Sequence, residues 1–146
     1  MNPPEAVRKP RRIALVSCVK SKKSSSAAAQ DLYVSPLFHG LRRFAESKAD
    51  AWYILSAEHG LLSPDEIVAP YEKTLNKMPR AERLAWAEKV RQQLLEVLPT
   101  GAEIILLAGA RYRHDIEAFL RSRGYAVSVP LEGFKMGQQL QYLKSL

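Results

Sequence analysis

Apolar residues fall along this chain in two alternating rhythms: short continuous runs, and longer stretches with a period of three to four residues. Ile13–Ser17 (IALVS) is a continuous aliphatic run, which predicts a strand buried on both faces. Ser35-Pro36 offers an N-cap followed by proline at the first helical position. Leu37, Phe38, Leu41, Phe44 and Ala45 then recur at helical spacing. Trp52–Ala57 reads as the second buried strand, and a loop bearing Gly60, Pro64 and Pro70 follows, long enough for a functional segment or a short turn of helix. Met78-Pro79 opens the next helix, with Leu84, Ala87, Val90, Leu94 and Val97 as its apolar stripe, and Pro99-Thr100-Gly101 stops it. Glu103–Ala108 (EIILLA) is a third strand. Gly109 turns it into a helix carrying Tyr112, Ile116, Phe119 and Leu120, which Arg123-Gly124 closes. Tyr125–Val129 gives a fourth strand, and Lys135–Leu146 a last helix with Leu140 and Leu143 inside.

The order is therefore β-α-β-α-β-α-β-α. It predicts an α/β fold: a single domain, 13–146, with a mostly parallel sheet of about four or five strands and helices on both faces. The segment 1–12, with three prolines and no apolar period, reads as a flexible basic N-terminal arm. Open α/β sheets bind ligands outside the carboxyl ends of their strands. At that edge stand SCVKSKKSSS, SAEHGLL, AGARYR and PLEGFKMG, four polar loops expected to converge on one cleft.

Composition narrows the class without fixing the function. At 146 residues, 47% hydrophobic and 25% charged, the chain suits an ordinary globular domain. No apolar run approaches the ~20 residues that span a bilayer, and the run after the basic N-terminus is too short for a signal peptide. A cytoplasmic protein is expected. One cysteine cannot form an internal disulfide. The net charge of +7 favours anionic partners, either nucleic acid or a phosphorylated small molecule, unless it serves only solubility. No cofactor is implied. Asp65 and Glu66 lack a third ligand, so no metal site is expected either.

Each candidate residue carries two readings. Cys18, at the end of the first strand, is a nucleophile whose thiol nearby lysines would acidify, or a small buried packing residue. Lys20, Lys22 and Lys23, with Ser17 and the following serines, have the chemistry of an anion cradle, though the glycine-rich phosphate-loop pattern is absent. The alternative is a solvated loop. The densest motif is ILSAEHGLLSPDEIVAPYEKTL (Ile54–Leu75). In it Ser56, Glu58 and Tyr71 would position or activate a substrate, and His59 is a base or, more simply, a packing ring. Gly60 reads as a turn residue needing positive φ. Gly109, Arg111, Tyr112 and Arg113 gather at a predicted helix start, where an anion would be welcome and Tyr112 could stack on a base. An ordinary strand-to-helix turn with exposed arginines is the competing reading. In the last loop, Gln138 could bond a ligand amide.

The 54–75 segment resembles a signature of the YaaA-like superfamily, through Leu55, Ser56, Gly60, Leu61, Leu62, Pro64, Asp65, Pro70 and Tyr71. Ser17 with Lys20 or Lys22 is similar to that family's opening Ser-Pro-Ala-Lys, although no proline-alanine stands between them here. His59 occupies the family's tyrosine position. The chain is also similar to a shorter bacterial and phage domain with SCxKxK, LSAxxGLL, AGxxY and GxQLxxL segments. The resemblance implies DNA binding and a stress response to peroxide, with no settled enzymatic activity. A fainter similarity, cysteine followed by lysine as in the archaeosine-synthase core, implies modified-base chemistry. Two functions follow as expectations: a domain binding nucleic acid or nucleotide phosphate, or a small enzyme acting on a nucleotide, nucleoside or nucleobase. A protein partner inside a larger system is a third.

Overall fold

A computed structural model describes residues 11–17 and 22–145. Cys18 and Lys20 lie outside the described residues, as does most of the N-terminal arm. The elements run β1 (Arg12–Ser17), β2 (Ala27–Ala28), α1 (Ala29–Leu32), α2 (Pro36–Lys48), β3 (Ala51–Ser56), β4 (Gly60–Leu62), β5 (Ile67–Val68), α3 (Arg80–Val97), β6 (Glu103–Leu107), α4 (Ala110–Ser122), β7 (Ala126–Ser128) and α5 (Met136–Lys144). A short 3-10 turn at Leu75–Lys77 precedes α3.

The main sheet has the order β4-β3-β1-β6-β7. β1 pairs in parallel with β3 (Val16 opposite Ile54) and with β6 (Val16 opposite Leu107), and β6 pairs in parallel with β7. Only β4 runs antiparallel. Side chains alternate across β1, as the pleat requires. Ala14 and Val16 pack with Phe38, Leu41, Phe44 and Leu143 from α2 and α5. Ile13 and Leu15 pack on the other face with Trp86, Val90 and Leu94 from α3 and with Ile116 and Leu120 from α4. Each such aliphatic side chain contributes roughly 1.5–3 kcal/mol on burial, so a strand buried on both faces is the best-held element of the sheet.

The chain leaves β1 over one face to reach β3, then crosses the opposite face to reach β6. Opposite directions over opposite faces are what one constant hand of crossover requires. The strand order therefore reverses at β1, and the carboxyl ends of β1 and β6 diverge to leave a crevice between them.

Local signals explain most helix ends. The Ser35 hydroxyl accepts from the Phe38 N–H at 3.0 Å, with Pro36 at the first helical position, as the sequence predicts. Gly124 adopts φ +87° behind α4, and the Tyr125 N–H returns to the Leu120 carbonyl at 3.1 Å.

Three expectations need correction. The stripe of α3 is Trp86, Ala87, Val90 and Leu94, while Leu84 and Val97 are exposed. Leu84 stands roughly a quarter turn off that face at 3.6 residues per turn, and the larger Trp86 takes the inward position. The alternative reading of a solvated loop after β1 does not hold for its described part: the Lys23 N–H donates to the Leu32 carbonyl, and β2 pairs with β5, so 27–30 packs against 64–68. The loop after β3 does not join the other three, because it folds into a hairpin with β4.

Candidate functional site

Two polar regions occupy the carboxyl edge of the sheet. The first is built around Ser56, the last residue of β3 and 0% exposed. Its hydroxyl donates to the Tyr71 hydroxyl at 2.8 Å and accepts from the His59 N–H at 3.1 Å. The Tyr71 and Tyr33 hydroxyls share a hydrogen bond at 2.5 Å. The Ser56 carbonyl accepts from the Trp86 indole N–H at 2.8 Å. The His59 ring stands edge-on to Tyr71, with centroids 5.5 Å apart. The Lys22 ammonium lies 4.5 Å from the Tyr71 ring centre and 5.7 Å from that of Tyr33, within reach of both π faces.

The hairpin beside it is fixed by Gly60, at φ +76°, and by Gln93 of α3. The Gln93 amide accepts from the Leu61 N–H at 2.8 Å and donates to the His59 carbonyl at 3.3 Å. A Cβ on residue 60 would come within 2.3 Å of the Gln93 oxygen, so glycine is needed for close approach as well as for φ. Glu58, at the tip of the hairpin, is exposed. Its carboxylate, with that of Glu82, acts on Lys73. The Glu82 hydrogen bond at 2.8 Å is the main reason the Lys73 ammonium keeps its proton above the usual lysine range, and Glu58 adds a weaker attraction.

The second region is a cavity of about 670 Å³ in the crevice where the strand order reverses. Ser17 lines it at the end of β1, and Leu107 to Arg113 line it from the end of β6 into α4. Leu37 and Leu41 from α2, Asn76, and Leu131, Gly133, Phe134, Met136 and Gln139 supply the remaining wall. Residues from the first turns of α2, α4 and α5 line the cavity; the start of α4 has no side-chain cap, whereas Ser35 caps α2 and Gln138 caps α5. Arg111 is exposed at its rim. Arg113 lies along the wall, donating to the Ala108 carbonyl at 3.2 Å and pairing with Glu117 at 3.6 Å. The Ser17 hydroxyl takes no side-chain partner among the described residues.

Tyr112 joins the two regions. It lines the cavity, and its ring stands edge-on to Trp86, whose indole holds Ser56. The ends of β1 and β6 and the 131–139 segment therefore share one cavity, while Ser56, Glu58, His59 and Tyr71 do not line it. Lys22 and Lys23 do not line it. Gln138 is exposed, and its side-chain oxygen accepts from the Lys135 N–H at 2.8 Å, so it caps its own helix. Among the described residues no cluster of three metal-ligating side chains occurs. Asp65 accepts from the Ser63 hydroxyl instead.

Sequence reasoning missed Tyr33, Gln93, Trp86, Phe134 and Met136. Gln93 is one of several polar residues on an exposed-looking helix, and no local pattern marks it. Phe134 carried a signal, an aromatic residue directly after Gly133 in a loop at the ligand edge. A smaller cavity of about 280 Å³ lies near the opposite end of the strands, beside Arg12, Glu103 and Ala126 to Ser128. Arg12 pairs there with Glu103 at 3.3 Å, and the cavity is away from the carboxyl-edge loops.

An open parallel sheet with helices on both faces and a crevice at its strand reversal places the chain among the doubly wound α/β proteins. Within that class it belongs to the Family of unknown function (DUF6884), which it matches over residues 13–145. It is 30% identical over 142 residues to the "Uncharacterized protein YfjM" of Bacillus subtilis (strain 168), a span covering 91% of this chain and 93% of that protein. No solved structure matches the chain. Among the described residues no helix is long and apolar enough to cross a membrane.

Proposed function

We propose that this protein binds a phosphate-bearing nucleotide, free or within a nucleic acid, in the cavity at the β1–β6 crevice. The observation that carries this reading is that the uncapped start of α4 and Arg111 line one cavity of about 670 Å³ at the ends of β1 and β6. That volume lies within the range of small-molecule sites. Backbone N–H groups at helix starts and an arginine at the rim favour a phosphate, and the net charge of +7 favours its approach. The resemblance to YaaA-like proteins agrees with a nucleic-acid or nucleotide ligand, and we place the protein in the cytoplasm as part of the same proposal.

The alternative, an enzyme using Ser56, Glu58 and Tyr71, gains less support. Ser56 is fully buried and its hydroxyl is committed to Tyr71 and the His59 N–H, and none of the three lines the cavity.

Calorimetric titration with nucleoside phosphates and a short single strand, at low and high salt, tests the reading. Affinity should fall as salt rises, and Arg111→Glu should weaken it by about tenfold or more while leaving the melting temperature unchanged. Affinity indifferent both to salt and to Arg111→Glu would exclude this cavity as the phosphate site.

A further inference from the structure

The cavity has a second wall of different character, and it points to what accompanies the phosphate. Besides the α4 turn, Leu131, Phe134 and Met136 line the cavity, together with Leu37 and Leu41 from α2. Phe134 is 37% exposed and Met136 59%, although both are large apolar side chains. The Phe134 ring is braced from behind: it stands edge-on to Tyr142 of α5 at 5.8 Å between centroids, and Tyr142 in turn contacts Phe44 of α2 at 6.4 Å. A braced aromatic ring left partly exposed at a cavity mouth is a stacking platform, because a flat ligand can cover it without any reordering of the protein.

We infer that the ligand is a single unpaired nucleotide, its base against Phe134 and Met136 and its phosphate toward Arg111 and the start of α4. This rests on the phosphate reading above and adds the base. A wall that is apolar on one side and cationic on the other matches a ligand with the same division. Inorganic phosphate would leave the apolar wall wet, and a duplex would keep its bases stacked away from it. Met136 suits the role, since its flexible thioether follows the outline of different rings. Base identity is therefore read weakly, and pairing state strongly.

The experiment compares a nucleoside monophosphate, ribose 5-phosphate, a short 5′-phosphorylated single strand and its duplex, titrated into wild type, Phe134→Ala and Phe134→Leu. Phe134→Leu keeps the apolar packing on Tyr142 but loses the flat face, and thermal melting verifies that both variants fold. Wild type should bind the monophosphate at least about tenfold more tightly than ribose 5-phosphate, and the single strand more tightly than the duplex. Both Phe134 variants should lose about fivefold or more for the monophosphate while staying within about twofold for ribose 5-phosphate. A strand that outcompetes the free monophosphate identifies nucleic acid as the source. Equal affinity for monophosphate and ribose 5-phosphate, equal losses for both in the variants, or duplex binding as tight as the strand overturns the base platform but leaves the phosphate site standing. No binding of any phosphate by wild type overturns both.

Discussion

The Ser56 cluster and the crevice cavity lie side by side at one sheet edge, yet they are built in opposite ways. In the cluster, the Ser56 hydroxyl bonds Tyr71, Tyr71 bonds Tyr33, the Trp86 indole bonds the Ser56 carbonyl, and the serine is sealed from solvent. Around the cavity, an arginine, a phenylalanine and a methionine stay exposed. Polar groups that are mutually satisfied and buried hold a fold in one arrangement, whereas binding energy is left over only where groups remain accessible. On the proposed function, the motif densest in chemically suggestive residues acts as scaffold, and plainer residues form the receptive surface.

Breaking the scaffold should cost stability, and the largest loss is expected at Trp86, which ties the cluster to Tyr112 of the cavity wall. Trp86→Ala removes a buried indole from against Tyr112 and leaves the Ser56 carbonyl without its donor. Urea unfolding should show a loss of about 3–5 kcal/mol. A loss below about 1 kcal/mol would mean that the cluster does not support the cavity wall. Next comes Gly60→Ala, which meets both a positive φ and the Gln93 side chain. We expect it to cost about 1–3 kcal/mol, against no more than about 1 kcal/mol for alanine at Gly109, where the added Cβ meets open space and φ is negative.

Ser56→Ala sharpens the comparison further. It should destabilise by about 1–3 kcal/mol, because the His59 N–H loses its acceptor and the Tyr71 hydroxyl loses its Ser56 donor, while nucleotide affinity changes by less than about twofold. Stability preserved with binding lost would reverse the roles assigned to the two regions. The smallest effect is expected from Glu82→Gln, which removes the exposed partner of Lys73. Because the Lys73 pKa is raised in the folded protein, the pair contributes fully below the unfolded lysine value. Its contribution is lost as pH rises through the folded one. The gap in melting temperature between wild type and variant should therefore close at strongly alkaline pH, and also at high salt.

Much of this fold was legible in the sequence, because its main strands are continuous aliphatic runs and its helices carry clear punctuation. IALVS and EIILLA read as doubly buried strands from composition alone, and Ser35-Pro36 marked a helix start. What stayed hidden depends on contacts distant in sequence. The two-residue strands at Ala27 and Ile67 exist only through each other, and β4 needs Gln93, 32 residues away, to hold its turn. Leu84 misled because a helical stripe has two edges, and only the sheet decides which side Trp86 takes. At the site, the loop positions followed from topology and so did Arg111. The separation of Ser56 and Tyr71 from the cavity did not, since burial of a serine leaves no mark in the sequence.

The most direct test is to follow backbone amide resonances of the 15N-labelled protein while a nucleoside monophosphate is added. The largest shifts should fall at Ser17, at 107–113 and at 131–139, with Gly60, Leu61 and Gln93 nearly unmoved. Shifts centred on Glu58, His59 and Tyr71, with 107–113 silent, would make the buried cluster the binding site and contradict the division drawn between the two regions.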